Sequence, residues 1–197
     1  DNRISSLVAT GLPLGALGTT IKEDIERVEL ILGPTATLYG PNANNGLIST
    51  ITKDPRVSQG TTVALGVGNQ SVFSGRLRHA EKLSDKFAYK ITGEFTQGTE
   101  FDYVDTVYIG TDPRTALAKT ELDLNRDFKS VKGEASLYFT PTAGNDIIFT
   151  YGGSNSSNIG LTNAGRNQIK DWKINFYQLK YTSPRIFAQF YYTQSRT

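Results

Sequence analysis

The chain has 197 residues, with 21 Lys and Arg against 19 Asp and Glu and neither Cys nor Met. A net charge of +2 is too small to imply a nucleic-acid partner, and the lack of Cys excludes disulfides, thiolate metal sites and cysteine nucleophiles. No run approaches the ~18 apolar residues of a membrane-spanning helix, but a mean hydropathy of -0.34 is compatible with a spanning β-barrel, whose strands alternate lipid-facing and lumen-facing side chains.

Asp1 opens the chain without the charged and apolar regions of a signal peptide, so a processed or truncated start is expected. Residues 1–53 are punctuated by Gly and Pro (Gly11, Pro13, Gly15, Gly18, Gly33, Pro34, Gly40, Pro41, Gly46), with short apolar runs at 25–32 and 47–51. This reads as a compact mixed α/β segment. Asp24 is placed to cap a short helical turn begun by Ile25, Glu26 and Arg27, after which Val28 to Leu32 continue as a strand. Residues 54–60 break both periodicities and read as a linker.

From Thr61 onward the period is two. Val63, Leu65 and Val67 alternate with small residues, Phe73, Gly75, Leu77 and His79 alternate with Ser74, Arg76, Arg78 and Ala80, and Phe87 to Phe95 form the cleanest strand. A polar stretch at 98–128 far exceeds the typical ~4–6 residue connection. Alternation resumes from Val131 to Phe139, turns at 141–145 and continues to Tyr151; a second polar stretch at 152–170 precedes strands at 172–182 and 186–192. Residues 61–197 are therefore expected to form about seven antiparallel strands in up-and-down order, with both long polar stretches on one side. One face is apolar and aromatic, the other carries Arg76, Arg78, Lys90, Glu94, Lys132, Glu134, Gln178 and Lys180. A soluble β-sandwich shows the same alternation, but strands of about ten residues with Tyr or Phe near their ends favour a barrel with aromatic girdles.

Several short patterns carry sharper readings beside ordinary ones. The run Gly66-Val67-Gly68-Asn69-Gln70-Ser71 is similar to a phosphate-binding glycine loop after a strand, but the third Gly and the acid about twenty residues on are missing, so no nucleotide site is expected. His79 stands alone, so neither a His metal cluster nor a serine triad can be completed, and a girdle or rim position suits it. The pairs Asp102 with Asp105 and Glu121 with Asp123 lack a full calcium ligand set, so no metal or cofactor is expected. The charges Arg76, Arg78, Lys90, Glu94, Lys132 and Glu134 read as a cross-strand ladder that neutralises itself, or as a site for an anionic solute. Asn42, Asn44 and Asn45 could contact a polar ligand, although turn chemistry also selects Asn.

The segment Ile25-Glu26-Arg27-Val28-Glu29-Leu30-Ile31-Leu32-Gly33-Pro34, then Leu38-Tyr39-Gly40, Asn45-Gly46-Leu47-Ile48 and Ile51-Thr52-Lys53, resembles the C-terminal half of the plug in TonB-dependent outer-membrane receptors. Leu12-Pro13-Leu14-Gly15 and Lys53-Asp54-Pro55 are similar to receptors of the Bacteroidetes group. The resemblance implies a bacterial outer-membrane location and a fragment of a plugged antiparallel transmembrane β-barrel: plug at 1–53, linker at 54–60, and about seven of the ~22 barrel strands at 61–197. It makes Arg27, Gly33, Pro34, Tyr39, Gly40 and Gly46 plug-motif residues. The family commonly carries an Arg before the Gly-Pro pair that locks plug to barrel; Leu32 stands there, which leaves Arg27 as a substitute.

The resemblance further implies a non-enzymatic receptor that imports a ligand by TonB-coupled transport. Its partners would be outer-membrane lipid, the TonB complex acting on a plug region outside this chain, and an unidentified ligand. A structural or export-associated barrel within a larger assembly, or one partnered by a surface lipoprotein, is the alternative, and a soluble sandwich adhesion module a third. Gly40 is expected at positive φ, and the first and last strands are expected to present bare edges that further strands of the same polypeptide complete.

Overall fold

The structure, a computed structural model, describes residues 18–33, 46–102, 106–109, 117–120, 124–162 and 165–196. A 3-10 turn, Lys22–Asp24, leads into β1 (Ile25–Leu32), which pairs antiparallel with β2 (Gly46–Thr52). The helical turn thus ends where it was expected to begin. Ile25 is β-branched and opens a β-prone run, so it takes up the strand, and the Asp24 side chain caps nothing because it is engaged elsewhere.

The main sheet has seven strands: β3 (Gly60–Gly68), β4 (Val72–Lys82), β5 (Phe87–Thr99), β8 (Asp127–Thr142), β9 (Asn145–Thr162), β10 (Gly165–Thr182) and β11 (Phe187–Arg196). Its order, β11-β10-β9-β8-β5-β4-β3, is the sequential meander expected. Between β5 and β8 a separate hairpin, β6 (Thr106–Ile109) with β7 (Leu117–Thr120), occupies the first long polar stretch. That connection and the one from β9 to β10 lie at the same end, since Thr99 pairs with Asp127 and Thr162 with Gly165. The other two sheets among the described residues are single two-stranded hairpins, β1 with β2 and β6 with β7, and not the second layer of a sandwich.

One sequence expectation is corrected here. The polar stretch at 152–170 is mostly strand, because β9 and β10 continue well past their apolar halves. Ser154, Ser156 and their neighbours pair through the backbone, which needs no apolar side chain once the strand has left the lipid. The glycine-rich run at 66–71 is the end of β3 and a three-residue hairpin turn, Asn69 to Ser71, with φ of 59° at Gln70 and 56° at Ser71. No helix follows it, so it has no terminus to receive a phosphate.

The two faces differ in chemistry. On the outer face Leu65, Leu77, Phe87, Ile91, Leu137, Phe149, Leu179 and Phe190 are exposed. The inner face carries the buried Arg78, Lys90, Thr92, Ser130, Glu134, Ser136, Ser154, Ser156 and Gln178, but also Trp172, Ile174 and Phe176 on β10. That wall is therefore mixed, where alternation alone suggested a polar one.

The apolar outer band drifts along the register. Its middle residue on β3, Leu65, is level with Gly75, Phe95, Val131, Asn155 and Lys173, whereas the middle of the band on β10 is Leu179. The offset from Lys173 to Leu179 is about 20 Å at ~3.3 Å per residue, over five strand spacings totalling about 24 Å. A flat hydrocarbon slab therefore crosses these strands at a tilt of about 40°, within the range of transmembrane barrels.

Candidate functional site

The inner face of β4, β5 and β8 carries charges in registered rows. Arg76 stands opposite Glu94 and Glu94 opposite Lys132, whose ammonium lies 3.5 Å from the carboxylate. This row is a ladder of opposite charges. The next is not: Arg78 faces Thr92, which faces Glu134, and beyond them Lys90 lies between Ala80 and Ser136. Neither Arg78 nor Lys90 has a carboxylate directly opposite on a neighbouring strand.

Their counter-charge comes from outside the sheet. Asp24, ending the 3-10 turn, accepts from Arg78 Nε at 2.8 Å and from Lys90 Nζ at 2.7 Å. The three residues are 1%, 2% and 3% exposed respectively. Lys90 also donates to Thr52 Oγ1 at 2.8 Å and the Lys53 carbonyl at 3.1 Å, and Arg78 to the Ser58 carbonyl at 2.9 Å. Two buried cations against one carboxylate would leave a positive excess. Glu134, also buried and across Thr92 from Arg78, adds a carboxylate to the same wall, accepting from the hydroxyls of Thr19 at 2.5 Å and Thr20 at 3.0 Å. The Asp24 carboxylate and the neutral acceptors of Thr52, Lys53 and Ser58 are what let Arg78 and Lys90 stay out of water.

Glu23 adds a further tie, with Arg76 Nε donating to its carboxylate at 2.8 Å. Burial pushes this carboxyl up, but the Arg76 hydrogen bond, a backbone hydrogen bond and the charges of Arg76 and Lys22 together hold it below its ordinary value.

A second fastening sits at the linker. The Arg56 guanidinium binds both Asp54 oxygens, at 3.0 Å and 2.7 Å, reaches Asp146 at 2.7 Å and Thr140 at 3.2 Å, and lies 5.4 Å from the centre of the Tyr138 ring. Burial pushes the Asp54 carboxyl up, and the side-chain and backbone hydrogen bonds from Arg56 outweigh it, so the group sits below its usual range. The same bonds, led by that to Asp54, hold Arg56 firmly protonated.

Of the residues expected from sequence, Arg76, Arg78, Lys90, Glu94, Lys132 and Glu134 all lie on this inner face. Arg27 is apart from them: half-exposed on β1, it pairs with Glu26 at 3.1 Å and Glu29 at 2.7 Å of its own strand. Gly33 follows β1 with φ of 97°, and Gly46 opens β2. Pro34, Tyr39, Gly40, Asn42, Asn44 and Asn45 lie outside the described residues, as do Asp105, Glu121 and Asp123; Asp102 pairs with Arg126 at 2.8 Å. His79 sits on the outer face, bonded to Thr61 and Tyr89. Among the described residues no group of acids and His could hold a metal ion.

Sequence reasoning missed Thr19, Thr20, Glu23, Asp24 and Arg56. A charge count carried the signal for two of them. With Lys180, the inner-face charges read from sequence are five cations and two carboxylates, and the adjacent acids Glu23 and Asp24 supply two of the missing negative charges.

The fold and site together define a class: an antiparallel transmembrane β-barrel sheet, lipid-facing outside, with a preceding chain segment ion-paired to its inner wall. The sheet and segment superpose on a ferric enterobactin receptor crystallised with BCV-L6, at a TM-score of 0.55 and 17% identity over 99% of this chain and 31% of that one. No protein-family model matches the chain. It is similar to the vitamin B12 transporter BtuB of Vibrio vulnificus, 35% identical over 81 residues (41% of this chain, 13% of the transporter). It is also similar to the iron-regulated outer membrane virulence protein of Vibrio cholerae, 34% identical over 109 residues (52% of this chain, 17% of that protein). The chain thus spans less than a fifth of the curated relatives it matches. Its setting is the outer membrane, and its relatives are transporters and receptors rather than enzymes.

Proposed function

We propose that this chain is part of a TonB-dependent receptor that imports a ligand by TonB-coupled transport, with residues 1–53 as the C-terminal part of the plug, 54–60 as linker and 61–197 as the first strands of the barrel. The single observation that carries the reading is the buried cluster of Asp24 with Arg78 and Lys90, which ties the segment before the linker to the inner wall of the sheet. A barrel that were merely an open pore would have no use for that attachment. In lipid the edges of β3 and β11 leave backbone groups unpaired, which lipid does not tolerate, so the working barrel closes through strands beyond these seven.

Names of similar proteins point to a corrinoid or an iron chelate as the ligand class. The Bacteroidetes-like wording of residues 12–15 and 53–55 is a finer part of the same proposal. The test is uptake of labelled cobalamin and of labelled ferric siderophores by cells expressing the full-length protein, with and without a functional TonB complex. Accumulation that requires both the protein and TonB supports the reading. Surface binding with no TonB-dependent uptake would instead indicate a receptor or structural subunit of an assembly.

A further inference from the structure

Lys180 stands on the inner wall of β10 and is half-buried, yet among the described residues no hydrogen bond or ion pair reaches it. The charges that act on it are the carboxylates of Asp146 and Asp54 and the cations Lys90 and Arg56. Asp146 is its diagonal neighbour on the same face, since Lys180 lies opposite Ile148 and Thr182 opposite Asp146. Such a diagonal is ~7–8 Å, within reach of a long side chain. Asp146 is nonetheless turned to the linker. Its Oδ1 accepts from Arg56 at 2.7 Å and from Thr140 at 2.6 Å, and among the described residues its Oδ2 accepts from nothing.

These charges can pair in two ways. In the structure Arg56 holds both Asp54 and Asp146 while Lys180 holds neither. In the other arrangement Arg56 keeps Asp54 and Lys180 takes Asp146, so every charge still has an opposite. The geometry of the linker favours that division. Arg56 binds Asp54 through side-chain bonds of 3.0, 3.2 and 2.7 Å and donates its own amide to the same carboxylate at 2.8 Å. The two therefore form a neutral unit within the linker. The amides of Val57 and Ser58 close the turn on the Asp54 carbonyl at 3.2 and 2.8 Å. Asp146, by contrast, belongs to the wall, and a departing Arg56 would leave its half-buried carboxylate with the Thr140 hydroxyl alone.

We propose that Lys180 is a standby partner for Asp146: when the linker leaves the wall, Arg56 and Asp54 depart together and the Lys180 ammonium donates to Asp146 Oδ2. The clasp then opens and closes without stranding a carboxylate, and Lys180 lowers the cost of opening. It lies at the end of the sheet with the short turns, the periplasmic one in barrels of this architecture. The inference rests on residues 54–60 joining the hairpin segment to the sheet. It involves neither an imported ligand nor TonB, so it can fail while the transport reading stands, and the reverse.

The test is hydrogen–deuterium exchange of the peptide spanning residues 54–60, in the full-length protein in lipid nanodiscs without ligand, where protection reports the opening equilibrium. Asp146→Asn removes the wall carboxylate and lowers protection about fivefold. Lys180→Met acts in the opposite sense, raising protection about threefold, because the open state loses its ion pair. Lys180→Gln shifts protection in the same direction, and Lys180→Arg, which keeps the charge, is parent-like. In the Asp146→Asn background Lys180→Met changes nothing. Far-ultraviolet circular dichroism checks that each variant is folded. Parent-like or lowered protection in both Lys180→Met and Lys180→Gln overturns the proposal. An equal rise with and without Asp146 would show that Lys180 merely repels Arg56, and overturns it as well.

Discussion

Asp24 is the residue on which the inner-face attachment turns, because two buried cations share its carboxylate. Asp24→Asn removes that charge while keeping the shape, and leaves Arg78 and Lys90 with only neutral acceptors. Breaking a buried ion pair by removing one partner costs about 3–5 kcal/mol. The expected outcome is faster amide exchange across residues 19–24 and 52–58, with the outer hairpins of the sheet unchanged. Glu23 makes a pH-dependent contribution to the same attachment. Its carboxyl is lowered by folding, so the stabilisation is complete above its ordinary value near 4.5 and is lost as pH falls through the lower folded value. Asp54 behaves in the same sense at the Arg56 fastening. Protection of the segment's amides, that is exchange corrected for its intrinsic pH dependence, should therefore fall only below the ordinary carboxylate range. Glu23→Gln should flatten part of that response, and an unchanged profile in this variant would remove Glu23 from the account.

At the scale of the element, the β1–β2 hairpin separates two uses of glycine. Gly46 has φ of 148°, and a Cβ there would lie 2.6 Å from the Ile31 carbonyl oxygen; Gly33, at φ of 97°, has open space around it. Gly33→Ala meets backbone strain alone, on the order of 1–3 kcal/mol. Gly46→Ala adds a clash with backbone that cannot swing aside, so it should destabilise the hairpin more. Local exchange rates in β1 measure the order, and equal effects would show that the close approach of Gly46 to β1 relaxes freely. The same hairpin explains why the turn before it was misplaced. Local capping rules put Asp24 at the head of a helix, but the capping bond was weaker than what two buried cations offer from strands more than fifty residues away.

For the molecule as a whole, the slanted apolar band is what separates a membrane sheet from a soluble one. Leu179 lies in the middle of the band on β10 and Asn175 near its rim, so a lysine should be costly at the first and cheap at the second: about 2–4 kcal/mol for Leu179→Lys against about 0–1 kcal/mol for Asn175→Lys. Unfolding of the full-length protein in bilayers by denaturant measures both. Equal costs would mean that the band does not mark the hydrocarbon.

Much of this architecture was legible in the sequence because strand alternation is local. The alternation from Thr61 onward depends only on which side chains face lipid, so the seven strands, their order and their tight turns could be read one segment at a time. The plug-like motif placed β1 and β2 in the same way. What alternation could not reveal was where the strands stop, since β9 and β10 run on through Ser and Asn once outside the apolar band, or which inner-face charges pair with each other. Arg76, Glu94 and Lys132 pair along the sheet, as a ladder read from sequence would have it. Arg78 and Lys90 look identical in sequence yet take their carboxylate from Asp24, because only the folded chain brings that acid to the wall. Composition and periodicity determined the sheet and its two faces. Tertiary structure decided the partners, because a buried charge is settled by the nearest opposite charge in space, whatever its distance along the chain.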